Sequence, residues 1–200
     1  MNVRRIALLF VLGLLYGCGG PKELRPLAPG AVVLAFGDSL TSGVGAETEE
    51  SYPAVLGSLL GCEVVNAGVP GEITEEGLDR LPHLLQRHRP GLVILCHGGN
   101  DMLRRRDDAS IVRNLRTLIE TAQASGADVV LLGVPRPGIF LKAPDFYGAL
   151  ADEYRLPYDG KTLPKILSSP GLKSDALHPD AEGYRKLAEQ VAALIAKHTS

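Results

Sequence analysis

The feature that most limits how this chain can fold is its alternation of short apolar runs with longer amphipathic stretches. The apolar runs are rich in Val, Leu and Ile and lack a polar residue at every second position, which is typical of strands buried on both faces of a parallel sheet. These runs are Ala31–Phe36, Glu63–Ala67, Leu92–Cys96 and Val129–Val134.

The stretches between the runs carry apolar residues at helical spacing. One stripe consists of Leu78, Leu81, Leu84 and Leu85, and a second of Ile111, Leu115, Leu118, Ile119 and Ala122. A third amphipathic stretch, residues 180–196, follows directly after a proline. Because strand and helix alternate, we predict an α/β fold, a three-layer α/β/α sandwich around a mostly parallel sheet. In such sheets ligands bind beyond the carboxyl ends of the strands.

Length and charge narrow the class of protein further. The chain has 200 residues, of which 45% are hydrophobic, and this is enough to bury the core of one domain. Its formal net charge is −2, with cationic and anionic residues interspersed rather than clustered. We therefore expect one domain over residues 31–200 and no nucleic-acid partner. We also expect a monomer, although neither length nor charge determines the oligomeric state.

The first residues are typical of an export signal rather than of a fold. Two arginines precede the apolar run 6–15, which is too short to span a bilayer. The residues that follow, Leu15-Tyr16-Gly17-Cys18, resemble the bacterial lipobox. This resemblance implies a lipoprotein signal peptide over residues 1–17 and a lipid anchor on Cys18, with an ordinary signal peptide as the alternative.

The segment after this cysteine predicts how the domain is attached. Residues 18–30 mix Pro, Gly and charge without periodicity, so we expect a flexible tether between lipid and domain. Gly19 stands where the resemblance to lipoproteins associates Asp with retention in the inner membrane. We therefore expect the outer membrane, with the domain facing the periplasm, and a soluble periplasmic protein is the alternative.

The remaining cysteines and two of the histidines indicate neither a disulfide nor a metal site. Cys62 opens one apolar run and Cys96 closes another, so we expect two free thiols at opposite strand ends. His83 and His88 lie five residues apart in a helical stretch, with no acidic residue between them. We interpret them as part of a solvated helix face and expect no metal and no cofactor.

Four polar segments lie where a ligand crevice is predicted. They are Gly37–Thr41, Asn66–Gly71, Gly98–Asp101 and Asp175–Pro179. Taken singly, each is also common in plain turns. Together and in this order they resemble the SGNH, or GDSL, hydrolases, because Ser39, Gly71, Asn100 and His178 match the serine, glycine, asparagine and histidine of that family's four blocks. The resemblance implies a flavodoxin-like fold with a five-stranded sheet and a serine esterase activity.

Two stretches refine this resemblance. Residues 71–82 and 98–104 look closest to the periplasmic thioesterase I, lysophospholipase or arylesterase type. That resemblance implies aryl esters, acyl thioesters and lysophospholipids as small-molecule substrates. It also implies that Asp38 and Asp101 support the loops beside the site rather than act as a catalytic carboxylate pair.

The chemistry of acyl transfer agrees with these assignments. A serine hydroxyl is a weak nucleophile at neutral pH and needs a base within hydrogen-bond reach, which must itself be oriented. With two residues between them, Asp175 can accept a hydrogen bond from one imidazole nitrogen of His178 while the other nitrogen faces Ser39. The developing oxyanion needs preorganised donors, for which the N–H groups of Ser39 and Gly71 and the amide of Asn100 are the candidates.

Substrate choice is less constrained than reaction type. Apolar residues in the loops after the second, third and fourth runs are candidates for contact with an acyl chain, and they are Val69, Leu103, Val134, Pro135, Ile139, Phe140, Leu141 and Phe146. Ordinary packing is the alternative for each of them. Two other functions stay open, an envelope carbohydrate O-acetylesterase and a non-enzymatic lipoprotein that only binds ligands.

Overall fold

The described part of the chain forms a five-stranded sheet in which every neighbouring pair of strands is parallel. The computed structural model describes residues 20–199. Its strands are Val32–Gly37 (β1), Glu63–Gly68 (β2), Leu92–Cys96 (β3), Asp128–Leu132 (β4) and Tyr158–Asp159 (β5), in the order β2-β1-β3-β4-β5. The predicted α/β class with a five-stranded parallel sheet is confirmed.

Helices cover both faces of this sheet. They are Ser39–Ser42 (α1), Tyr52–Leu60 (α2), Thr74–His88 (α3), Gly99–Leu103 (α4), Asp108–Ala124 (α5), Asp145–Tyr154 (α6), Thr162–Leu167 (α7) and Ala181–His198 (α8). Helix α2 packs against α8, and α3 packs against α5, so that two helical layers enclose the strands. The predicted stripe from Ile111 to Ala122 is buried along α5. Among residues 20–199, no helix is long and apolar enough to cross a membrane.

Two strands differ from what the sequence predicts. Strands β3 and β4 are buried at every residue, but β2 lies at one edge of the sheet, and within it only Ala67 is buried. The prediction that residues 63–67 are buried on both faces is therefore wrong. Strand β5 has two residues, too few for any periodicity to reveal it in the sequence.

The segment expected to be a flexible tether packs against the domain over residues 22–25. Leu24 is 5% exposed, and its N–H donates to the carbonyl of His198 at 2.6 Å. Arg25 donates through Nε to Oδ2 of Asp128 at 2.9 Å. Burial opposes ionisation of Asp128, but hydrogen bonds from Arg25 outweigh it and lower the pKa of that carboxyl. The folded unit thus begins before residue 31, while Cys18 and the signal segment 1–17 lie outside the described residues. We call residues 22–25 the N-terminal clasp.

The strand order determines where loops can form a crevice. Strand β2 lies on one side of β1, and β3, β4 and β5 follow on the other side, so the order switches between β1 and β3. The loops that leave β1 and β3 therefore diverge at the carboxyl ends of these strands. Gly37 at the end of β1 must approach β3 closely, since a Cβ there would lie 2.0 Å from the carbonyl oxygen of Cys96. Cys96 is buried and Cys62 half-buried, and both are free thiols.

Candidate active site

Ser39 lies at the reversal point of the sheet, as the first residue of α1. The preceding residue, Asp38, is 1% exposed and accepts a hydrogen bond from the N–H of Leu40 at 3.1 Å, which caps the helix. Burial raises the pKa of the Asp38 carboxyl. Immediately after β1 the chain therefore turns into a short capped helix, and the Ser39 side chain is left at the crevice.

His178 and Asp175 come from the loop between α7 and α8. The N–H of Ser174 donates to the carbonyl of His178 at 3.0 Å and closes this loop, while Asp180 caps α8 by accepting from the N–H of Gly183 at 2.8 Å. A loop held at both ends fixes the direction of the imidazole.

The three side chains form a continuous hydrogen-bonded chain. Nε2 of His178 lies 3.0 Å from Oγ of Ser39, and Nδ1 lies 2.9 Å from Oδ2 of Asp175. Oδ1 of Asp175 also accepts from the backbone N–H groups of Leu177 and His178, at 2.7 and 2.9 Å. Burial opposes ionisation of Asp175, but these hydrogen bonds outweigh it and lower the pKa of the carboxyl. In this arrangement Nδ1–H donates to the carboxylate, and Nε2 is free to accept the serine proton.

Gly71 and Asn100, predicted as oxyanion donors, line the same cavity as Ser39 and His178. Gly71 has φ +83°, a conformation that a residue with a Cβ rarely adopts. Nδ2 of Asn100 donates to the carbonyl of Glu72 at 2.9 Å, which leaves the second amide hydrogen for the cavity. The structure thus brings together all the residues predicted to react or to stabilise charge.

Asp101 lies just behind this cavity and is fully buried. Its carboxylate accepts from the N–H and the hydroxyl of Thr74, at 2.9 and 2.7 Å. Thr74 begins α3, directly after the loop that carries Gly71. These contacts join the loop after β2 to the loop after β3, as a supporting carboxylate would.

Sequence reasoning missed a buried charged cluster beside Asn100. Glu72 is 6% exposed, and its carboxylate accepts from Nε and Nη2 of Arg80 at 2.7 and 2.6 Å. Oε2 also lies 3.0 Å from Nε2 of His97, which is fully buried. Because the N–H of Gly98 donates to Nδ1 of His97 at 3.0 Å, the ring proton lies on Nε2 and points at Glu72. We call Glu72, Arg80 and His97 the buried charge cluster.

This cluster holds the main chain that positions Asn100. Arg80 also donates to the carbonyl of Ala67 at 2.9 Å. Its guanidinium group therefore connects β2, through Ala67, to the loop after β2, through Glu72. Burial opposes ionisation of Glu72, but hydrogen bonds from His97 and Arg80 outweigh it and lower the pKa of the carboxyl. A signal for the cluster existed in the sequence, since Glu72 adjoins Gly71 and His97 precedes Gly98, but no periodicity brings Arg80 to them.

The cavity beside Ser39 has a volume of about 240 Å³ and mainly apolar walls. Four of the eight residues predicted for acyl contact line it, namely Leu103, Val134, Pro135 and Leu141. The others do not: Phe146 packs on Tyr147 with ring centroids 4.6 Å apart, and Val69, Ile139 and Phe140 are exposed. Sequence patterns did not predict the other apolar residues of the wall, which are Leu40, Val44, Pro70, Pro137, Leu167, Ala176 and Leu177.

The histidines at positions 83 and 88 lie on α3, where His83 is exposed and His88 half-buried. Within residues 20–199, no group of three His, Cys, Asp or Glu side chains could hold a metal ion.

Comparison with known proteins places this geometry in a family. Residues 35–186 match the GDSL-like Lipase/Acylhydrolase family. The chain is 32% identical to Esterase TesA of Pseudomonas aeruginosa, over 89% of this chain and 94% of the relative. It is 33% identical to an arylesterase of Vibrio mimicus, over 83% and 88%, and 28% identical to Thioesterase 1/protease 1/lysophospholipase L1 of Escherichia coli, over 80% and 81%.

Solved structures agree with the sequence relatives. A crystal structure of TesA superposes with a TM-score of 0.75 at 30% identity, covering 83% of this chain and 98% of the other. AlinE4, an SGNH-hydrolase family esterase, superposes with a TM-score of 0.65 at 32% identity, covering 84% and 96%. The chain therefore belongs to the GDSL-like lipase/acylhydrolase family and is an ester hydrolase.

Proposed function

We propose that the chain hydrolyses acyl esters and thioesters, including aryl esters and lysophospholipids, through an acyl-enzyme on Ser39. The observation that carries this proposal is the 3.0 Å contact between Oγ of Ser39 and Nε2 of His178 at the mouth of an apolar cavity. The catalytic group supplies the chemistry, and the cavity supplies a place for the acyl chain.

In the first half-reaction, Oγ of Ser39 attacks the carbonyl carbon while Nε2 of His178 takes the hydroxyl proton. Asp175 stabilises the imidazolium that forms. The oxyanion accepts hydrogen bonds from the N–H groups of Ser39 and Gly71 and from the Asn100 amide, each worth about 3 kcal/mol in the transition state. His178 then gives its proton to the leaving alcohol or thiol, and the acyl group stays on Ser39.

In the second half-reaction, water enters the site vacated by the leaving group. His178 takes a proton from this water, the hydroxide attacks the acyl carbonyl, and the same donors hold the second oxyanion. Collapse releases the carboxylic acid and returns the proton to Ser39. No step requires a metal or a cofactor.

The acyl preference separates this proposal from a carbohydrate O-acetylesterase. The mainly apolar walls favour a chain longer than acetyl, because each buried methylene contributes about 0.8 kcal/mol. We expect kcat/KM on p-nitrophenyl esters to rise about tenfold or more from acetyl to hexanoyl or octanoyl. A maximum at acetyl would contradict the proposed substrate class and favour the acetylesterase.

We also propose that the mature protein carries lipid on Cys18 and lies in the bacterial envelope, with its domain in the periplasm. This rests on Leu15-Tyr16-Gly17-Cys18 after an apolar run. Intact-mass analysis of protein purified from the native host tests it. A mature chain that begins at a triacylated Cys18 supports the proposal, and an unmodified chain cleaved elsewhere contradicts it.

A further inference from the structure

Most of the large apolar side chains that the structure leaves exposed surround the cavity. Ile139 and Phe140 are 95% and 90% exposed on the loop between β4 and α6. Val69, Leu103 and Leu177, each more than a third exposed, lie on the loop after β2, at the end of α4 and before α8. We call these five residues the apolar collar. Within residues 20–199, the one further large apolar side chain exposed in this way is Leu59, on α2.

The collar is continuous with the cavity. Leu103 and Leu177 belong to both, and the exposed pair Ile139-Phe140 lies between two cavity residues, Pro137 and Leu141. A shallow depression extends from the cavity along Pro137 and Leu141 to Ile139. Leu167, Ala176 and Leu177 give this depression an apolar side next to the cavity, and Ser168 and Lys173 give it a polar side.

Cationic residues flank the collar. Arg104 and Arg105 follow Leu103, and neither forms an ion pair with any described residue. Arg136 and Lys142 flank the loop tip and pair with Asp108 and Asp145, both at the protein surface. Arg104 and Arg105 are therefore the cations that favour a lipid surface: an apolar centre beside two arginines without an ion pair in the described chain complements a lipid layer, whose acyl region lies beneath phosphate groups.

We propose that the apolar collar docks on a phospholipid surface, with Ile139 and Phe140 inserted among the headgroups, and that lipid substrate enters the cavity from that surface. This inference rests on the proposed function. A second copy of the chain fits this surface poorly, because a symmetric pairing of collars would bring Arg104 and Arg105 of both copies together.

The N-terminal clasp determines which lipid surface the collar can reach. Arg25 binds Asp128 at the amino end of β4, whereas the collar surrounds the carboxyl ends of the strands. Gly20, whose carbonyl accepts from Arg155, therefore lies near the amino ends of the strands, opposite the collar. A protein anchored through its N-terminus would present the collar to a micelle or to a facing membrane, not to the bilayer that holds the anchor.

The test compares soluble and aggregated substrate in one chain background. The double variant Ile139→Ser/Phe140→Ser replaces the two apolar side chains at the tip of the loop with polar ones. Leu59→Ser is a matched control, because it makes the same kind of change on α2, away from the collar. Hydrolysis of p-nitrophenyl acetate measures the site itself, and hydrolysis of a lysophosphatidylglycerol above and below its critical micelle concentration measures docking. Flotation with phosphatidylglycerol vesicles measures binding without turnover.

We expect the parent rate on lysolipid to rise on micelle formation, and the double variant to lose about tenfold or more of kcat/KM on micelles. Its rate on p-nitrophenyl acetate, and all rates of Leu59→Ser, should stay within twofold of the parent. Equal loss on both substrates, no loss on micelles, or a dimer that the double variant dissociates would each overturn the proposal. If the parent hydrolyses no ester, the proposed function fails, while flotation still decides whether the collar binds lipid.

Discussion

Replacement of Glu72 by Gln tests whether the buried charge cluster holds the catalytic loops. The side chain keeps its size but loses its charge, and its new NH₂ group faces donors. His97 cannot accept from this NH₂ group without changing tautomer, and moving the ring proton from Nε2 to Nδ1 would break the hydrogen bond that Nδ1 accepts from the N–H of Gly98. Arg80 has a 24% exposed side chain and loses one of its two bonds to position 72.

The expected loss of stability follows from these contacts. Breaking a buried ion pair costs about 3 to 5 kcal/mol, and the partial exposure of Arg80 and its remaining bond to Ala67 reduce this to about 2 to 3 kcal/mol. For a chain of this size that corresponds to a fall in Tm of roughly 4 to 12 °C. Because Asn100 donates to the carbonyl of Glu72, a shift of that carbonyl should also lower kcat, by about tenfold or more.

The effect has a defined pH dependence. The pKa of Glu72 is lowered in the folded state, so its ionised form stabilises the protein above the unfolded pKa of about 4.3. This contribution is lost as the pH falls through the lower, folded pKa. The stability gap between parent and Glu72→Gln should therefore be full near neutral pH and shrink in acid.

Denaturant unfolding and steady-state kinetics on the same samples measure both effects. The control is Glu75→Gln, which removes an ion pair between Arg106 and a 65% exposed Glu75 and should change stability by at most about 0.5 kcal/mol. If the free energy of unfolding of Glu72→Gln lies within about 0.5 kcal/mol of the parent value at neutral pH, and kcat is normal, the buried charge cluster does not hold the catalytic loops.

Three further outcomes are expected. Asn100→Ala should lower kcat by roughly 10² to 10³ with little change in KM or stability, whereas a loss of about 1 kcal/mol of stability with normal kcat would make Asn100 a turn residue. Asp175→Asn should fold normally but lose roughly 10³ to 10⁴ in kcat because the imidazole loses its orienting acceptor; an activity loss under tenfold would remove Asp175 from the triad. Burial raises the pKa of the Cys96 and Cys62 thiols, so peptide mapping after brief alkylation at pH 7.5 should find Cys96 unlabelled in folded protein and labelled after unfolding; rapid labelling of folded protein would contradict the burial.

Sequence patterns predicted the fold where burial and periodicity coincide. Strands β3 and β4 and helix α5 are long or wholly buried, so their composition and spacing reflect their positions in the core. The sequence does not predict the exposure of the edge strand β2 or the presence of the two-residue strand β5. The burial of β2 and the pairing of β5 both depend on neighbours that are remote in sequence. The composition of residues 18–30 predicts a tether, and it does not show the packing of the clasp because the partner of Arg25 is Asp128, 103 residues away.

The candidate site shows a similar division. Ser39, Gly71, Asn100, Asp175 and His178 lie in recognisable blocks beside strand or helix ends, and the fold alone brings those ends together. The contact of Arg80 with Glu72 could not be predicted, because the periodicity of α3 does not show which loop residue the Arg80 side chain reaches. Half of the residues predicted to contact an acyl chain line the cavity, since the sequence does not show whether a loop residue such as Phe140 turns inward or outward.

Covalent labelling with a fluorophosphonate probe shows whether Ser39 carries the acyl group. We expect one adduct per chain, on the peptide that contains Ser39, with loss of esterase activity in proportion to labelling. Ser39→Ala should fold like the parent, take up no probe and lose about three or more orders of magnitude in turnover. A stoichiometric adduct on another residue, or substantial turnover by folded Ser39→Ala at saturating substrate, would mean that Ser39 is not the nucleophile.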